Sequence, residues 1–251
     1  VTADPERQLV LRLETYLREL QAAHGGLLAA AEAGNKSPLA ALRALVDLAE
    51  RIPPRSDVDA SVAYLFIDAA NVVHGMRQRE LARRLAQAAN TIYRRSAADY
   101  PEFAALSLSL EARMAYRAGG MTAAEPLLAE ALTILQQNAL GVSAAASSVL
   151  GQRGAWQLRT GDVRGALDSF AQALRVDEDR GAQAAEMAAA ASNLAAALRE
   201  SGEPAAALSL FQRALSLAES TPETPASLVE AIRDHISALQ SPAGARRTSM
   251  G

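Results

Sequence analysis

Three histidines, a run of acids and a cluster of arginines are the side chains in this 251-residue sequence whose types and spacing could do chemistry. His24, His74 and His235 lie far apart, and none belongs to an H-E-x-x-H pattern, which would set two imidazoles on one helix face around zinc. His24 and His74 fall near predicted helix ends, where a cation meets the negative pole of the helix dipole, and His235 lies on the last predicted helix. Surface or capping roles are expected for all three. Asp177-Glu178-Asp179 offers carboxylates without the regularly spaced further oxygens that calcium requires, and is read as a solvated loop between helices. Arg77, Arg79, Arg83, Arg84, Arg94 and Arg95 form the sharpest charge feature. Such a cluster could meet an acidic partner or nucleic acid. However, only Tyr93 is interleaved with it and the chain as a whole carries a net charge of −3, so a solvated helix face is the simpler reading.

Nothing resembling an enzyme's machinery accompanies these groups. There is no G-x-S-x-G nucleophile elbow, no G-x-x-x-x-G-K-[ST] phosphate loop and no G-x-G-x-x-G following a strand. The absence of cysteine excludes disulfides, thiolate zinc sites and a cysteine nucleophile. Asn35-Lys36-Ser37 matches a glycosylation sequon but is read as a helix-capping turn, and Arg246-Arg247-Thr248-Ser249 resembles a basophilic phosphorylation site. A non-enzyme is expected, with no cofactor and no metal.

The elements that would position any site are helices. Hydrophobic residues make up 50% of the chain and aromatics only 4%, so alanine and leucine carry the apolar content. Alanine has the highest helix propensity and lets helices approach closely, whereas a β-sandwich would need β-branched and aromatic runs. Residues 1–20 mix acids with apolar residues and show no export signal, and no stretch reaches the ~20 uncharged apolar residues of a spanning helix. A cytoplasmic protein without membrane contact is expected. Punctuation predicts helices over about 5–23, 38–52, 57–75, 77–95 and 102–118, the first capped by Asp4 with Pro5 at its first position.

From residue 119 the punctuation becomes periodic. Gly119, Gly161 and Gly202 are 42 and 41 residues apart, and each ends one helix and precedes another. Five positions after them stand Ala124, Ala166 and Ala207; nine after, Leu128, Phe170 and Phe211; twelve after, Ala131, Ala173 and Ala214; seven before, Ala112, Gly154 and Ala195. Small residues at fixed positions allow the two helices of a pair to cross closely, and the large one plugs the gap to the next pair. Pro126, inside the second helix of the first such pair, predicts a kink there.

The segments Thr160 to Leu174 and Ser201 to Leu215 resemble the second half of a tetratricopeptide repeat, with Gly119 to Leu132 a looser copy. The usual unit is ~34 residues, so the chain resembles a long-helix variant with a period of about 42. Gln157 and Leu198 stand where the family often carries an aromatic side chain. The resemblance covers about 106–219 and implies an all-α, right-handed superhelical solenoid of antiparallel helix pairs. The expected organisation is an N-terminal helix pair in 1–55, a degenerate unit in 56–100, three helix pairs in 101–223, a capping helix in 224–240 and a disordered tail in 241–251. The resemblance further implies that the first helices of successive pairs line a concave groove. Carried onto this sequence, the groove positions are Asn71, His74, Arg113, Tyr116, Arg117, Gln152, Arg159, Asn193 and Arg199. Asparagine can donate to and accept from a peptide backbone, and arginine suits carboxylates, so the implied partner is a protein or peptide with an acidic segment or chain terminus. A scaffold is the leading expectation and an intracellular peptide-sensing regulator the alternative. Residues 1–55 lack a basic recognition helix, so direct nucleic-acid binding is not expected, while uncapped solenoid ends leave a homodimer open.

Overall fold

A computed structural model describes residues 79–95 and 99–241 continuously, with short stretches between 18 and 29 and between 63 and 70. The readings placed on His24, Asn71, His74, Arg77 and the residues after 241 lie outside the described residues. Every regular element among the described residues is a helix. The chain divides into two compact units, 1–134 and 135–251.

In the first unit α1 (Arg79–Arg95) lies along the start of α2 (Pro101–Gln137), whose last residues reach the second unit. Ala82, Leu85, Ala86, Ala89, Ile92 and Tyr93 form the buried stripe of α1, at the three- and four-residue spacing of one helix face. Tyr93 stacks on Phe103, with ring centroids 5.8 Å apart. Beside this stack the buried Asn90 accepts from the Ser107 hydroxyl at 2.5 Å and donates to Glu111, a closed polar contact that sets the register of the two helices. Two arginines of this stretch are paired with carboxylates in place. Arg83 holds Glu80 at 2.6 Å, and Arg94 grips Glu130 through two bonds of 2.7 and 2.8 Å.

The break inside α2 falls at Gly119 and Gly120 and not at Pro126. Gly120 takes φ +67°, a left-handed conformation that only glycine adopts at no steric cost, while Gly119 keeps φ −138°. Pro126 costs its helix one ladder bond to the Thr122 carbonyl, yet the backbone stays helical through it, because the helix begins only a turn and a half earlier and Leu128 and Ala131 beyond it are fully buried.

The second unit is a stack of helix pairs: α3 (Ala144–Arg159) with α4 (Val163–Asp179), α5 (Ala184–Glu200) with α6 (Pro204–Glu219), then α7 (Ala226–Gln240) against α6. Starts and stops follow local chemistry. Ser143 and Asp162 cap α3 and α4 by accepting from the Ala146 and Gly165 amides, Glu186 reaches back to the Gln183 amide at the head of α5, and Pro204 opens α6. Three helices end in the same way. Gly161, Gly181 and Gly202 take φ of +84°, +65° and +86°, and the amide after each turns back to the carbonyl five residues before it, Asp162 to Gln157, Ala182 to Asp177 and Glu203 to Leu198.

All of the recurring small and large positions are buried: Ala112, Ala124, Leu128 and Ala131 in the first unit, and Gly154, Ala166, Phe170, Ala173, Ala195, Ala207, Phe211 and Ala214 in the second. Phe170 fills the space between Gly154 of its own pair and Ala197 of the next. Phe211 does the same one pair later, packing with Ile232 of α7. Gln157, in place of an aromatic residue, is buried and accepts from Ser169 at 2.7 Å. The equivalent positions of the next pair, Leu198 and Leu210, are both apolar and pack into the core, so polar meets polar and apolar meets apolar. The closing helix lays Ile232 against this core, with Leu228, Val229, Ile236 and Leu239 around it.

Candidate binding cleft

Within the second unit a cleft of about 260 Å³ opens between α3 and α5. Its walls are Ala144, Ser147, Ser148 and Gly151 from α3, and Ala189, Ala190 and Asn193 from α5. Its floor is α4, which contributes Phe170, Ala173 and Asp177, each 3% exposed or less. The small residues that let the helices pack also keep the cleft open. Gly151 has open space where a side chain would project. Asn193 is exposed, and neither its amide nor the Ser147 and Ser148 hydroxyls bond to the rest of the chain. The surface thus offers a backbone-like segment donors and acceptors above an apolar floor.

One end of the cleft is charged. Arg180 places Nε and Nη2 each 2.9 Å from Asp177 Oδ1, and Nη2 3.0 Å from Glu186 Oε2. Desolvation works against the Arg180 charge, but hydrogen bonds to Asp177 and Glu186 outweigh it and hold the guanidinium above its ordinary value. Asp177 is therefore not part of a solvated loop. It closes the last turn of α4 and is buried by the pair it makes with Arg180. The signal for this was present in the sequence. Asp177 continues the buried face Ala166, Phe170, Ala173 at helical spacing, and Arg180 stands three residues on.

The expected groove residues are dispersed. Asn193 lines the cleft; Gln152, Arg159 and Arg199 do not. Gln152 is half-buried on α3 and Arg159 is exposed at its last turn. Arg199 turns toward α7, with Nη1 3.1 Å from His235 Nδ1, and its other nitrogens hold Glu200. Since arginine only donates, His235 Nδ1 accepts and the imidazole is neutral there. The ring also stacks on Phe211, with centroids 4.9 Å apart. Burial first, and Arg199 second, push His235 below its ordinary value. His235 is thus a packing residue that fixes the closing helix. In the first unit Arg113, Tyr116 and Arg117 share one face of α2. Arg113 is half-buried, and burial followed by repulsion from Arg117 lowers its pKa. Ser147, Ser148, Asp177, Arg180 and Glu186 complete the cleft without having been singled out as binding residues.

Among the described residues no group of three or more His, Asp or Glu side chains could hold a metal ion, and no helix is long and apolar enough to cross a membrane. Stacked helix pairs, a repeated ring-and-alanine core and a cleft between first helices define a helical-repeat protein of the tetratricopeptide type. Residues 145–220 match the tetratricopeptide repeat family, and the chain carries these repeats there. No curated protein matches the sequence. Solved structures share the fold. BtubC (BKLC) from P. vanneervenii aligns with TM-score 0.59 and 17% identity over 84% of this chain and 91% of that one. A protein of Podosopora anserina, described as a kinesin light chain with nearly identical TPR-like repeats, aligns with TM-score 0.60 and 16% identity over 81% and 97%. At these identities the likeness is one of fold.

Proposed function

We propose that this chain is a non-enzymatic scaffold that holds a segment of a partner protein in the cleft between α3 and α5. Folds of this type commonly mediate protein–protein interaction. The observation that carries the cleft as the contact surface is Asn193, an exposed amide with no partner of its own, set above the apolar floor of Phe170 and Ala173. Recognition works by preorganisation. The walls are rigid helices already held by the buried rings, so a segment entering the cleft meets groups that lose little further freedom. Arg113, Tyr116 and Arg117 belong to the first unit and are no part of this cleft, and Arg159 and Arg199 lie outside its lining.

The test is selection of binders from a displayed library of random peptides on the whole chain, followed by titration against Ser148→Tyr, which fills the cleft from an exposed wall position, and Asn193→Ala. Selected peptides should lose most of their affinity for Ser148→Tyr and part of it for Asn193→Ala. Equal binding to all three proteins would remove the cleft as the contact surface.

A further inference from the structure

The chemistry of the cleft specifies its occupant more narrowly, a specification that rests on the cleft being the contact surface. Three lining residues carry charge, Asp177, Glu186 and Arg180, which leaves the site one negative charge in excess. The single cation among them is already committed to both carboxylates, and its donors at Nε and Nη2 are used within the chain. The acceptors are not used up. Asp177 takes both of its bonds on Oδ1 and none on Oδ2, although the residue is 97% buried and its remaining surface opens on the cleft. Glu186 bonds Arg180 and the Gln183 amide through Oε2 and leaves Oε1 open. A carboxylate oxygen on a buried side chain gains most from a charged donor, because the low local dielectric strengthens the contact and no water shell competes with it. An acidic segment would meet both carboxylates, with only Nη1 of the committed Arg180 left to answer it.

We propose that the cleft selects a basic segment: an extended stretch with small side chains over Phe170 and one lysine or arginine whose charged head sits at the Asp177–Glu186 end, with Asn193 and Ser148 bonding its backbone. This reverses the acidic preference expected from the arginines of the sequence, none of which, apart from the committed Arg180, lines the cleft.

The library-selected peptides decide the point. Expected are peptides enriched in lysine or arginine at one position, whose affinity falls with rising salt. Because Glu186 is half-exposed, Glu186→Gln should weaken them only about three- to fivefold, and Glu186→Lys, which reverses the charge, roughly tenfold or more. Glu186→Gln retains an oxygen for the Gln183 amide and so keeps the helix start intact if the reversal proves disruptive by circular dichroism. Peptides that Ser148→Tyr displaces but that are neutral or acidic and insensitive to both Glu186 substitutions would overturn the basic preference and leave the cleft as the contact surface. Peptides indifferent to Ser148→Tyr, or no retained peptide at all, would overturn both.

Discussion

Two glycines three residues apart on α3 should respond oppositely to the same substitution. A Cβ added at Gly154 would stand 2.8 Å from Phe170 Cδ1, 2.9 Å from Cε1 and 3.0 Å from Cγ. Carbon atoms in comfortable contact sit at about 3.5–4.0 Å, so the overlap is about half an ångström or more against three ring atoms at once. The ring cannot retreat, since it is 2% exposed and wedged against Ala166 and Ala197. Such overpacking costs about 1–3 kcal/mol. Replacing glycine by alanine within a helix returns about 1 kcal/mol. Gly154→Ala should therefore be neutral to destabilising by about 2 kcal/mol. At Gly151 nothing lies within 4 Å of the added carbon, and Gly151→Ala should stabilise by about 0.5–1 kcal/mol. The difference between the two variants isolates the clash. Trp156, the single tryptophan of the chain and buried on the same helix, reports unfolding of this unit by fluorescence in a urea titration. Equal stabilisation by both substitutions would refute the close crossing of α3 and α4 over Phe170. Phe170→Leu placed on Gly154→Ala should recover part of the loss.

Other outcomes depend on the same packing. Phe170→Ala and Phe211→Ala should each cost about 3–5 kcal/mol in urea unfolding, since both rings are buried at the junction between neighbouring helix pairs. Ser169→Ala should cost about 1–3 kcal/mol by orphaning the buried Gln157 oxygen, whereas Gln157→Leu with Ser169→Leu, which copies Leu198 and Leu210, should stay within about 1 kcal/mol of the parent; a double-mutant cycle measures the coupling. His235 is depressed in the folded chain, so its contribution is complete above the ordinary histidine value of 6.5 and is lost as pH falls from there toward the folded value. Arg199 and Phe211 face it from α5 and α6, and Asp234 lies beside it on α7 and partly offsets Arg199. The thermal midpoint of the parent should drop more than that of His235→Gln between pH 7 and pH 5, and parallel profiles would contradict a neutral, packed imidazole.

The helix-pair repeat was legible in the sequence because each pair buries the same face against its neighbours, so one packing solution is written repeatedly at the same spacing. The positions occupied by Gly154, Phe170 and Ala173 recur as Ala195, Phe211 and Ala214, and every one is buried. Glycine placement set the turns almost to the residue, with the positive φ falling on Gly120, beside the Gly119 that marks the repeat spacing, and on Gly161 and Gly202 themselves. The cleft was legible only in part. Asn193, Gln152 and Arg199 are all polar residues of first helices, and local sequence treats them alike. Only Asn193 lines the cleft, because successive helical residues turn by about 100° and the sector facing the cleft is decided by how neighbouring helices cross. The same holds for charge. Composition counts Asp177, Arg180 and Glu186 as three ordinary surface ions, but the turn at Gly181 brings the end of α4 and the start of α5 together, buries one carboxylate and occupies the arginine. Residue types and their period determined which surfaces are apolar and where helices stop. The tertiary arrangement decided which polar groups are left without partners at the cleft, since that depends on contacts between residues distant in the chain.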